Sequence, residues 1–164
     1  MKAWSHENKP DGKDEWLTPK WITDKLGPFD LDPCSPVVRP WDTAKKYYTI
    51  ADSGLLKPWN GFVWCNPPYN DIKAWMARMV EHNNGIALTF ALTDTAYWHE
   101  YVFPKASALF FLRGRLSFHH VDGTTGGTAG AASVLIAYGP EARGRLGRHA
   151  IDNGKGWFVI PKGM

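Results

Sequence analysis

Residues 64–69, WCNPPY, concentrate side-chain types suited to holding a planar, amino-bearing ring. Asn66 offers a side-chain carbonyl acceptor. Pro67 fixes its own φ and has no N–H, so the loop turns carbonyl oxygens toward a ligand without competing donors. Two acceptors can then converge on one amino group, while Tyr69 supplies a ring face for stacking, a contact worth about 1 to 3 kcal/mol per base. An amine conjugated with a purine is a poor nucleophile because its lone pair is delocalised. Acceptors aimed at both of its N–H bonds favour the tetrahedral geometry that localises the pair, and they stabilise positive charge developing on nitrogen. The plain alternative for Asn66, Pro67, Pro68 and Tyr69 is a strand-ending turn.

Such a loop needs a rigid carrier. Residues 61–65 read as a buried strand that two prolines stop, and residues 29–31 read as a second strand running into Asp32, Pro33 and Cys34. Open α/β sheets bind ligands at such C-terminal strand edges. Residues 18–26 predict a short helix with Thr18 as N-cap, Pro19 at the first helical position and Gly27 closing it. Ile72, Trp75, Met76, Met79 and Val80 give residues 71–82 the apolar stripe of an amphipathic helix. Short helices are expected over 41–48 and 97–102, and strands over 85–91, 108–112 and 133–138. Residues 116–118 lie on one arm of a hairpin tipped by the glycine-rich run 122–132. The alternation predicts an α/β fold, a mostly parallel sheet with an antiparallel hairpin toward its C-terminal end.

A length of 164 residues fits one domain, with residues 1–14 as an arm ahead of it. With 44% hydrophobic and 21% charged residues and a net charge of +3, the composition is globular rather than disordered. No apolar stretch approaches the ~20 residues of a membrane helix, and residues 1–14 lack a signal-peptide core. Cys34 and Cys65 show neither disulfide nor metal-ligand spacing, so the expectation is a soluble protein of a reducing cytoplasm that uses no metal. The charge is uneven: residues 1–100 hold 11 Lys and Arg against 13 Asp and Glu, and residues 101–164 hold 8 against 3. Arg113, Arg115, Arg143, Arg145, Arg148, Lys155 and Lys162 could face phosphates or form a solvated surface.

The segments EWLTP (15–19), FDLDPCSP (29–36), WCNPPYN (64–70), TDT (93–95) and FLRGRLSF (111–118) together resemble the S-adenosylmethionine-dependent DNA adenine methyltransferases, specifically the small phage-type, Dam-like family. The resemblance runs from about Asp14 to Gly139. It implies a Rossmann-like methyltransferase sheet, S-adenosylmethionine as cofactor with S-adenosylhomocysteine as product, DNA as partner, and a phage- or prophage-encoded enzyme in a bacterial host. Asn66, Pro67, Pro68 and Tyr69 would be the catalytic motif, acting on an adenine flipped out of the duplex. Trp16, Thr18 and Pro19 would line the methionine end of the cofactor, and Asp30, Asp32 and Cys34 would surround it where the first strand ends. The loop 29–36 has no glycine, unlike the glycine-rich loop of larger methyltransferases, so the backbone must approach the cofactor by another path.

Other candidates keep two readings each. Asp52 could accept from the cofactor's adenine or ribose, or cap a turn before Gly54. Thr93 and Asp94 could border the substrate or, with Thr95, cap the next helix. Arg113 and Arg115, placed on one face by strand alternation, could hold two phosphates or pair with surface acids. Phe118, with His119 and His120, could border the flipped base. Rival functions are methylation of an RNA adenine or a protein glutamine, and a non-catalytic nucleic-acid-binding module. Specificity would come from residues 122–132 and the N-terminal arm, and the oligomeric state would be a monomer or weak dimer.

Overall fold

Apolar runs too short for helices lie side by side in the computed structural model, which describes residues 16–153 and 156–162. The arm expected over 1–14, Glu15 and Lys155 lie outside the described residues. In chain order the strands are β1 (Leu31–Asp32), β2 (Lys46–Tyr47), β3 (Val63–Cys65), β4 (Gly85–Phe90), β5 (Ala108–Leu112), β6 (Ser117–His119), β7 (Thr125–Thr128), β8 (Ser133–Tyr138) and β9 (Gly156–Val159). All but β6 and β7 form one sheet in the order β2-β1-β3-β4-β8-β5-β9. Its β2–β1, β1–β3 and β3–β4 pairs are parallel, and the β4–β8, β8–β5 and β5–β9 pairs are antiparallel. Only β8 and β9 therefore oppose the common direction, a mixed α/β arrangement compatible with the Rossmann-like expectation. Among the described residues no helix is long and apolar enough to cross a membrane.

Strand alternation sorts the core into two layers. Leu31, Val63, Cys65 and Ala87 face α2 (Ile72–His82), whose Trp75, Met76 and Met79 are buried among them, as its spacing predicts. Phe62, Trp64, Ile86, Leu88 and Phe110 face the other way, onto Ile22 and Leu26 of α1 (Lys20–Leu26) and Ala142 and Leu146 of α3 (Pro140–Asn153). Leu116 and Phe118 complete that second layer.

Several expectations need correction. Residues 41–48 are not a helix: the N–H groups of Lys45, Lys46 and Tyr48 donate to the carbonyls of Phe29, Asp30 and Asp32, which makes this stretch the edge of the sheet. Thr18 does not cap α1, which begins at Lys20 with Pro19 at the N-cap and no side-chain cap. The helix over 97–102 is a π-helical turn, Trp98–Val102. The glycine-rich run is more than a hairpin tip, since Thr125–Thr128 is the return strand β7 paired with β6. This ribbon is inserted between β5 and β8, and Leu17 extends it by exchanging backbone hydrogen bonds with His119 at 2.8 and 3.0 Å. Neither α3 nor β9 is expected from the pattern.

Trp64, 1% exposed, lies in the layer beneath the loop that follows β3 and tilts against Phe29 at 5.4 Å. Replacing it with Ala leaves a cavity that this layer cannot close. Trp64→Ala is expected to lower the unfolding free energy by about 3 to 5 kcal/mol in urea melts followed by circular dichroism.

Candidate active site

The chain leaves β1 toward β2 on one side and returns through β3 on the other, so the sheet's switch point lies between β1 and β3. Both strands point the same way, and the space beyond their C-terminal ends is the candidate cleft. The thiols of Cys34 and Cys65, just past and at those ends, are 3.7 Å apart. Leu31 pairs with Val63, so the side chains of Asp32 and Asn66 both project on the α1 and α3 side of the sheet. The two segments singled out in the sequence, 29–36 and 64–69, are thus brought together.

Asp32 is 4% exposed. One carboxylate oxygen accepts the Cys34 N–H at 3.1 Å and the other accepts the Thr43 hydroxyl. Burial pushes its carboxyl up to about 6 against these hydrogen bonds. The Cys34 thiol is pushed well up as well, by its contact with Cys65 and by burial.

After Cys65 the prolines end β3, and β4 runs on past its last paired residue, Ala87. Ala91 donates to Ala132, so the Phe90 N–H points the opposite way, toward β3, where no strand remains to receive it. The Tyr69 hydroxyl accepts it at 2.6 Å, and the Tyr69 ring stacks on Phe90 with centroids 5.1 Å apart. Burial pushes the Tyr69 phenol well above its ordinary value. Tyr69 is thus held at its hydroxyl and on one ring face. Asn66 Nδ2 contacts the Trp16 carbonyl at 3.5 Å, which leaves the side-chain oxygen of Asn66 facing away from that acceptor.

Above this edge, Trp16 to Pro19 cross from Asn66 to the β6–β7 ribbon. Thr18 is 3% exposed, and among the described residues its buried hydroxyl has no partner. Ser133, paired with Phe90 and on the same face, also has a buried hydroxyl without a partner, as does the indole nitrogen of Trp41 against His119. Buried polar atoms are rarely left so; among the described residues the fourth is Arg78 Nε on α2, and the other three are groups that a polar ligand could satisfy. Neither Ser133 nor Trp41 carries a local sequence signal; only the β4–β8 register and the ribbon's packing reveal them.

Other sequence candidates sit elsewhere. Asp30 lies at the entry to β1, where one oxygen pairs with Lys45 at 2.7 Å and the other accepts the Phe62 N–H at 2.8 Å. Those two bonds hold its carboxyl below the usual range and use it as a strand clamp. Asp52 caps its own turn, accepting the Thr49 N–H and hydroxyl at 2.9 and 3.0 Å. Phe118 is 9% exposed and packs in the core layer with Leu116. Thr93 and Asp94 are exposed in the turn after β4, where Thr95, rather than either of them, donates its hydroxyl to Leu92. Arg113 and Arg115 are exposed on a turn around Gly114 at φ +81°, not on a strand. Arg145 is no phosphate ligand on the surface: it binds the Leu26 and Pro28 carbonyls and lies over the Phe62 ring.

The raised Asp32 carboxyl has a stability consequence. Its folded value of about 6 exceeds the ordinary aspartate value of 3.8, so folding takes up a proton between them. The contribution is fully present below pH 3.8 and is lost as pH rises through about 6. In urea unfolding, the stability of the native chain relative to Asp32→Asn is expected to fall by on the order of 3 kcal/mol between pH 4 and 7. A difference independent of pH would show that burial does not raise this group.

No solved structure matches the chain. The DNA N-6-adenine-methyltransferase of Escherichia phage T1 is 24% identical over 164 residues, covering 93% of this chain. The chain spans 64% of that relative's length. The profile of the family described as DNA N-6-adenine-methyltransferase (Dam) matches residues 5–140, which take in β1 through β8 and the whole cleft. The chain belongs to the DNA N-6-adenine-methyltransferase (Dam) family.

Proposed function

We propose that this chain transfers a methyl group from S-adenosylmethionine to the exocyclic N6 amino group of a flipped-out adenine in DNA. The observation that carries the reading is the Asn66 to Tyr69 loop at the switch point, with the Asn66 amide held from one side and Tyr69 pinned to the end of β4. Family membership supports DNA as substrate over RNA or protein.

The residues of the cleft fit the cofactor. Its methionine end carries an ammonium and a carboxylate, and the unpartnered hydroxyl of Thr18, with Trp16 and Pro19 beside it, is a group such an end would satisfy. Asp32 contributes a buried negative charge and orders the Cys34 N–H, a setting suited to a cationic ligand. When bound, the cofactor supplies an electrophilic methyl on a sulfonium. Asp30 has both oxygens engaged in the strand clamp, whereas Asp52 uses only Oδ2 in its turn.

The chain's own work is orientation and electrostatics. The side-chain oxygen of Asn66 accepts one N–H of the adenine amine and the Pro67 carbonyl accepts the other. The nitrogen lone pair is then directed at the methyl, and the positive charge that grows on nitrogen is stabilised where it forms. Tyr69 offers its ring to the base, partly offsetting the few kcal/mol that unstacking costs. The excess proton leaves after transfer, and no covalent enzyme intermediate forms. Arg113 and Arg115, with Thr93 and Asp94 nearer the cleft, contact the DNA around the extruded base.

Incubation of unmodified DNA with labelled cofactor is expected to place the label in N6-methyladenine after digestion to nucleosides. Asn66→Ala is expected to lower turnover by roughly 100-fold or more while leaving the calorimetric Kd for the cofactor unchanged. Equal loss of both would overturn the role of Asn66, and label in RNA or protein in place of DNA would assign a different acceptor. Arg113→Ala and Arg115→Ala should each reduce the slope of log affinity against log salt by about 1. An unchanged slope would make the turn a solvated surface.

A further inference from the structure

We propose that Gly126 is a positioning residue for methyl transfer: having no side chain, it seats the Trp16 indole, and through the Trp16 carbonyl it keeps the Asn66 amide turned with its oxygen toward the substrate amine. The inference rests on Asn66 acting as proposed above.

The two ends of an asparagine amide have nearly the same shape, so its orientation is decided by the partners it meets. An amide turned the wrong way would present donors to the donors of the adenine amine. The Trp16 carbonyl, 3.5 Å from Nδ2, can only accept, and so it selects the productive orientation. That carbonyl must itself be held still. On its C-terminal side Leu17 is locked to His119 by two backbone hydrogen bonds. The Trp16 ring is held against His120, with centroids 4.8 Å apart, and against β7.

Space at β7 exists only because residue 126 is glycine. A Cβ there would stand 2.3 Å from Cζ3 and 3.1 Å from Cε3 of the indole, and 2.9 Å from the Phe118 carbonyl oxygen. The backbone of Gly126 is outside the left-handed region, so the position demands glycine for space and not for conformation. Its neighbour Gly127 has nothing within 4 Å of the same built atom. Two adjacent glycines in one strand therefore differ in what a Cβ would meet: at 126 the Trp16 indole, most closely, and the Phe118 carbonyl oxygen, and at 127 neither. The ribbon that carries them is far in sequence from Asn66, yet it reaches the catalytic amide through one ring and one carbonyl.

The test compares Gly126→Ala with Gly127→Ala in the full chain, by single-turnover methylation of DNA at saturating cofactor and substrate. Alanine at 126 also meets the Phe118 carbonyl oxygen, a contact that Gly127→Ala lacks, so the indole's share is the part of the loss that disappears when Trp16 is replaced. Gly126→Ala is expected to slow methyl transfer by roughly ten- to 100-fold with DNA affinity retained, and Gly127→Ala to stay within about twofold of the native rate. In a Trp16→Leu background, which removes the ring, alanine at 126 should cost less than about twofold further. A native rate for Gly126→Ala, equal slowing by both alanines, or the same loss in the Trp16→Leu background would each overturn the proposal. If Gly126→Ala melts below the assay temperature, the double variant with Trp16→Leu carries the test: a rate matching Trp16→Leu alone supports the seat, and a lower one overturns it. Failure of the native chain to methylate adenine in DNA would instead remove the reading of Asn66 itself.

Discussion

The cleft exists because β1 and β3 enter the sheet level with one another, and Asp30 is the clamp that keeps them so. Its N–H donates to the Phe62 carbonyl at 2.7 Å, and its side chain accepts the Phe62 N–H at 2.8 Å. The carboxylate can come that close because residue 61 is glycine, at φ +76°, where a Cβ would stand 2.5 Å from the same oxygen. The Lys45 pair on the other oxygen is largely exposed and contributes little. The charge-assisted bond to a backbone N–H is the stronger contact. A one-residue slip between β1 and β3 would turn either Asp32 or Asn66 to the α2 side, and the two would no longer share a cleft.

The upper edge of the sheet is built from strands of unequal length. Prolines stop β3 and β4 continues, so a backbone donor is left over at Phe90, and Tyr69 fills the vacancy with its hydroxyl. The same residue that offers a ring to a base is therefore needed to close the sheet. Across β4, register places Ser133 beside Phe90 with its hydroxyl unanswered, and Thr18 descends from the other side with another. A buried unsatisfied group costs about 1 to 3 kcal/mol. Groups of this kind are unfavourable terms of the fold that a polar ligand would relieve.

Features legible in the sequence are those whose cause is local. The strands and the amphipathic helix α2 follow from short apolar runs and from 3.6-residue spacing, and the loop after β3 from adjacent prolines. Residues 41–48 mislead because their aromatic and charged mixture fits a helix, and only the unpaired edge of β1 decides that their N–H groups go to the sheet. α3 carries two glycines and a largely charged surface, which mutes its period, and its burial against α1 is a tertiary effect. The acids were ambiguous for the same reason: Asp30, Asp32 and Asp52 are one residue type in turn-rich segments. What separates a clamp, a buried charge and a turn cap is a partner distant in sequence or a few residues away, and sequence spacing does not reveal which.

The titratable groups around the loop suit chemistry in which the enzyme neither gives nor takes a proton in the transfer step. A methyl carried on a sulfonium is open to attack by any soft nucleophile within reach, and the Cys34 thiol lies just past the end of β1, where the cofactor is proposed to bind. Its contact with Cys65 and its burial keep it protonated, and a protonated thiol is a weak competitor for the methyl. The Tyr69 phenol, pushed up by burial, likewise stays neutral beside the base. In the proposed reading, what faces the amine is a set of fixed acceptors, the Asn66 oxygen and the carbonyls of a proline loop. Such groups stabilise charge without being consumed, so the burden of catalysis shifts to how accurately they are aimed. That places the demands of the fold on the supports of Asn66, the Trp16 carbonyl and the strand clamp at Asp30, more than on any ionisable group.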